Sequence, residues 1–195
     1  MNKKTIQMYF GSPLYQAFFP VNIADSGMGS VVLARKTMTG AIVGVDFLCD
    51  HYCLGVKDCF PFYYDYAGYR DFLLKIGSRE ELQESTPGYV KKYILDLVAW
   101  SKSLGFFPHP DYRTCSEILS GFTADEDATF QFGKDGVPFY INGPYDTPQR
   151  VKSIINTLES YKARTGNEAY YLMVAEPDSA LMDNISHLTE LTGPR

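Results

Sequence analysis

The chain has 195 residues, 45% hydrophobic and 21% charged, with 18 basic and 23 acidic groups and a formal net charge of −5. These proportions exclude a disordered, collagenous or fibrous chain and describe one able to bury a core. The length fits one domain spanning 1–195, with an N-terminal arm over about residues 1–25. The acidic total lacks the usual electrostatic footprint of a nucleic-acid binder, so such a partner is not favoured.

No apolar run of about 7–15 residues follows Lys3 and Lys4, and no stretch approaches the roughly 20 apolar residues of a membrane span, so a cytoplasmic chain without membrane segments is expected. In chain order, the first 25 residues have mixed patterning and read as an arm. GSVVLARK then predicts a strand, Thr39–Gly40 a turn, and AIVGVDFLCDHYCLG a long second strand, together a hairpin. On that second strand Val43, Val45, Phe47, Cys49, His51 and Cys53 share one face, apolar but for His51. Tyr66 to Ile76 predicts a helix stopped near Gly77. Thr86–Pro87 opens the clearest helix, with apolar positions at Val90, Tyr93, Ile94, Leu97, Val98 and Leu104 and Gly105 as its stop. A shorter helix is predicted from Tyr112 to Leu119.

The period then changes. ATFQF–GKDG–VPFYIN predicts a second hairpin with Asp135–Gly136 in its turn. Thr147–Pro148 opens a helix through about Arg164, closed by Gly166; AYYLMVAE predicts a strand, and Leu181, Ile185 and Leu188 a short final helix. The fold class is therefore α+β: two β-hairpins forming a mainly antiparallel sheet packed against several helices.

The densest polar chemistry lies in VDFLCDHYCLGVKDC, residues 45–59. On a straight strand Cys49, His51 and Cys53 point the same way, about 6.6 Å apart in succession. Two of them suit one metal and the third does not, and a zinc site would need His109 or Cys59 as well. The C-x2-C spacing of zinc knuckles is absent, so no metal and no cofactor are expected, and a hydrogen-bonded histidine on a buried face is the preferred reading. Asp46 and Asp50 would lie about 13 Å apart on the opposite face, too far for a shared ion or a glycosidase pair. Together with His51 and His109 they remain the candidates for a hydrolase or nuclease-like enzyme.

Lys57 and Asp58 sit where a strand end meets a loop. Asn142, Tyr145 and Asp146 occupy the turn NGPYD before a helix N-terminus. Both segments offer polar groups on a rigid support, and these five residues are the binding candidates. Lys91, Lys92 and Lys102 offer a small basic stripe, otherwise a solvated helix face.

The segments GMGSVVLARK…VGVDFLCDHYCLGVKDC, SLGFFPHPDY and FGKDGVPFYINGPYD together resemble an uncharacterised bacterial protein family over roughly residues 25–165. The resemblance implies no activity or catalytic residues, only that the three segments form one unit. The expected function is a cytoplasmic α+β module binding a protein or small ligand through an aromatic, polar surface; 15 Tyr and 13 Phe supply the rings.

Overall fold

The computed structural model describes residues 3–174. The segment expected to be an arm carries regular structure: helix α1 (Lys3–Gln7), strand β1 (Leu14–Pro20) and one helical turn, α2 (Ile23–Ser26). Strands β2 (Met28–Lys36) and β3 (Ile42–Asp50) form the expected hairpin, in register from Met28↔Asp50 to Lys36↔Ile42. β3 ends at Asp50, whereas the apolar alternation predicts a strand continuing to Gly55. The Asp50 carboxylate accepts the backbone N–H groups of Tyr52 (3.1 Å) and Cys53 (2.8 Å), and this local capping turns the chain. Gly55, at φ +76°, starts a further strand, β4 (Gly55–Tyr64), which pairs back on β3.

Helix α3 (Tyr66–Gly77), the short β5 (Leu82–Glu84) and helix α4 (Pro87–Leu104) follow. Thr86 caps α4 by accepting from Tyr89 N–H, with Pro87 in its first turn and Gly105 left-handed at its end, as the local signals require. α5 (Tyr112–Cys115) runs into a 3-10 turn, Ser116–Leu119. The five strands form one antiparallel sheet in the order β4-β3-β2-β1-β5. β4 is an edge strand, where Pro61, which has no N–H, is tolerated; the Cys59 N–H is taken by Asp58 Oδ1 at 2.7 Å.

The second expected hairpin is reduced to its turn. Lys134 and Val137 exchange two hydrogen bonds across Asp135–Gly136, but no ladder extends from them. Instead β6 (Phe139–Ile141) pairs in parallel with β7 (Tyr170–Leu172), on the far side of helix α6 (Pro148–Thr165). The final helix expected at Leu181, Ile185 and Leu188 lies outside the described residues.

Both faces of the sheet are covered. On one, Val31, Leu33, Val45, Phe47 and Cys49 pack against Val90, Tyr93, Ile94 and Leu97 of α4 and against Cys115 and Ile118. On the other, Val32, Ala34, Ile42 and Phe62 pack against Tyr69 and Ile76 of α3. Gly44 fits this second layer because a Cβ there would stand 2.6 Å from the Leu33 carbonyl and press into the Phe62 ring. A third cluster joins Cys53 and Leu54 to Tyr140, Val151, Ile154 and Leu158, so the turn after β3 also anchors α6. No helix among the described residues is long and apolar enough to cross a membrane.

Candidate functional site

The two segments that carry the binding candidates meet. The β3–β4 register shifts between Leu48↔Asp58 and Cys49↔Val56, which leaves Lys57 as the extra residue of a bulge. Its Nζ lies 3.6 Å from where a Cβ on Gly143 would stand, and the Asp146 carboxylate 3.5 Å from the same point. Asp146 is the hub of this turn. Its Oδ2 accepts from Tyr140 OH and Gly143 N–H, both at 2.9 Å, and its Oδ1 lies 3.2 Å from Arg150 Nε. Burial works to raise the Asp146 pKa, but these donors and the Lys57 charge outweigh it and hold it below the usual value. Asn142 is also occupied: its side chain donates to Val174 O (3.1 Å) and accepts from Val174 N–H (2.6 Å), extending the β6–β7 pairing. Thr147, not Asp146, caps α6. Tyr145 is 95% exposed. The segments thus converge as expected, with Asn142 and Asp146 building the turn. A hollow of about 740 Å³ beside them is walled by Gly143, Pro144, Val151, Ile155, Met173 and Val174.

The enzyme candidates are held in separate settings. Asp46 is 8% exposed on the α3 side, and its Oδ1 has no hydrogen-bond partner among the described residues. Burial pushes its carboxyl up to about 7; a hydrogen-bonding interaction with Ser30 and the Arg79 charge work against this, and Glu80 and Asp58 add to it. Glu80 itself accepts the Ser30 N–H through both oxygens, at 3.1 and 3.0 Å. Asp50 caps the turn, and its burial raises it to about 6 against the pull of those N–H groups and Lys57. His109 lies at the sheet edge, its Nδ1 3.6 Å from Asp58 and 3.8 Å from Asp111, which also pairs with Lys3. All four cysteines are buried free thiols, and among the described residues no group of three or more His, Cys, Asp or Glu is placed to hold a metal. The basic stripe is partly used up: Lys91 donates to Phe122 O, and Lys92 pairs with Asp96.

His51 leaves the strand face and enters the turn, where it is 4% exposed. Its Nε2 lies 3.0 Å from the Gln131 carbonyl, which can only accept, so Nε2 carries the hydrogen. Nδ1 then accepts from Tyr93 OH, also at 3.0 Å. Burial lowers the His51 pKa and favours this neutral form, against the Gln131 carbonyl. His51 is among the residues that line a cleft of about 410 Å³. Phe19, Tyr89, Tyr93 and Phe130 wall it, in edge-to-face contacts with centroids 4.8–5.2 Å apart. Gln83, Gln131, Asp25 and Asp135 supply its polar rim; Asp46, Asp50 and His109 do not line it.

The cleft draws on β1, α2, the 51–54 turn, β5, the start of α4 and residues 129–136, a set of long-range neighbours that sequence reading missed. Tyr89 and Tyr93 one helical turn apart, and Phe130 and Phe132 two apart, were the available signals; they are equally the signals of a core. No protein-family model, curated protein or solved structure matches the chain.

Proposed function

We propose that the chain is a cytoplasmic, non-enzymatic binding module whose site is the aromatic cleft over His51. The observation that carries this reading is the cleft itself: a concave space of a size ordinary for small-ligand sites, in which four aromatic rings stand beside a larger set of polar groups. Against the hydrolase alternative stands the state of its bases. Both ring nitrogens of His51 are engaged, and the two buried aspartates and His109 lie apart from the cleft. Four free, buried thiols accord with a reducing compartment. The test is a fragment screen read by amide chemical shifts on the full chain. Hits should perturb Asp25, Tyr89, Gln131 and Gly133 together, and Tyr89→Ala should weaken them at least tenfold without lowering Tm by more than a few degrees. Hits confined to other surfaces would refute the assignment.

A further inference from the structure

We propose that this cleft selects a small organic cation of the alkylammonium class; the inference rests on the cleft being the binding site. The charged side chains that line it are both acidic, Asp25 and Asp135, and no Lys or Arg lines it. His51 brings no charge, since its Nε2–H is spent on the Gln131 carbonyl and its lone pair on Tyr93 OH. Both carboxylate residues line the same cleft, and both are exposed. Tyr52 OH donates to the Asp25 backbone carbonyl at 2.6 Å, and Asp25 is an exposed residue. Among the described residues neither carboxylate is in an ion pair. Lys134, next to Asp135 in sequence, sends its ammonium 5.2 Å over the Phe139 ring.

The walls select in the same sense. An aromatic face is the negative pole of the ring quadrupole and attracts a cation within about 6 Å of its centre. Tyr89 and Phe130 are half-buried and line the cleft, the two least buried of its four rings. An anion entering here would meet two carboxylates and no cationic side chain. A neutral apolar group would bury ring surface but gain nothing from the rim. The volume suits a molecule of modest size.

The experiment compares choline with 3,3-dimethyl-1-butanol, which has the same shape with carbon in place of the charged nitrogen, and with butyrate, each titrated into the full chain by calorimetry and amide shifts. Choline should shift the cleft amides and bind at least tenfold tighter than the alcohol, with butyrate inert. The double variant Asp25→Asn, Asp135→Asn should remove most of that preference while keeping Tm. Asn tolerates the left-handed backbone of Asp135 (φ +54°), so the turn should survive. Equal binding of choline and the alcohol in the cleft would overturn cation selection and leave the binding site standing. No cleft shift with any of these probes or with the screening fragments would overturn both readings. Binding of a lysine-bearing peptide but of no free cation would overturn the small-molecule assignment.

Discussion

Replacing Asp46 with Asn should stabilise the protein above neutral pH and do so in a pH-dependent way. The carboxyl is buried, has one unpartnered oxygen, and lies within the field of Glu80 and Asp58, which is why burial first and those charges second raise its pKa from 3.8 to about 7. The folded chain therefore holds this proton more tightly than the unfolded one. Between about pH 4 and 7 the native state binds more protons, so this group's contribution to stability falls as pH rises and is fully lost above about 7. At about 1.4 kcal/mol per pH unit the full span corresponds to an upper limit of about 4 kcal/mol. Asn keeps the shape and cannot ionise. The stability difference between variant and wild type should be flat below about pH 4, grow through pH 5 and 6, and level off at about 2–4 kcal/mol above pH 7. Urea titrations of both proteins at pH 4 to 8 measure it, and taking the difference cancels Asp50, Asp146 and every other shared group. Glu80→Gln should move the Asp46 carboxyl titration, followed by carbon NMR, to lower pH. A pH-independent difference, or an Asp46 titration near 4, would refute the reasoning.

Leu97→Ala, at a fully buried position where α4 packs on the sheet, should cost about 2–5 kcal/mol in a denaturant titration. Gly55→Ala should destabilise twice over: φ is +76°, and the new Cβ would stand 2.7 Å from Ser101 Cβ and closer still to its Oγ. Ser101→Gly should recover only the steric part in a double-mutant cycle. Arg35→Lys should cost about 2–4 kcal/mol by thermal or chemical unfolding, because a single ammonium cannot replace a guanidinium that donates to the carbonyls of Ile118, Ser12 and Ser120. Asp146→Ala should cost about 1–3 kcal/mol by leaving Tyr140 OH and Gly143 N–H unpaired, whereas Tyr145→Ala should leave Tm unchanged.

The parts of the fold legible in the sequence are those built by neighbours along the chain. Helices α4 and α6 follow from Thr–Pro starts, apolar spacing and left-handed glycine stops, and the β2–β3 hairpin from two β-branched runs about a short turn. The strands missed depend on distant partners or carry interrupted patterns. β4 contains a bulge at Lys57, the charges of Lys57 and Asp58, and Pro61, so no alternation marks it. VPFYIN and AYYLMVAE do mark strands at β6 and β7, but their parallel pairing around α6 is an arrangement that no local signal encodes. Of the candidate site, the sequence placed Lys57 and Asp58 in a loop at a strand end, whereas both lie inside β4 at its bulge, which is what brings Lys57 to the 142–146 turn; the cleft was not legible, because its lining is assembled from six separate stretches.

The turn after Asp50 explains how those stretches come together. Read as strand, DHYCLG places Cys49, His51 and Cys53 in a row and invites metal or nucleophile chemistry. Folded as a turn, it ties its neighbours by backbone: His51 N–H donates to Gly27 O (2.8 Å), Gly133 N–H to His51 O (3.0 Å), and Phe139 N–H to Tyr52 O (2.9 Å). Its side chains repeat the pattern. The His51 ring bonds Tyr93 of α4 and the Gln131 carbonyl, while Tyr52 OH reaches the end of α2. The α2 rim, the α4 wall and the 129–136 wall are thereby held by one six-residue segment. The chemistry the sequence concentrates there is spent on positioning: an imidazole with no free nitrogen and a carboxylate given to backbone N–H groups fix a preformed cleft. Under the proposed binding reading, the ordering of this cleft is completed in folding rather than on ligand capture.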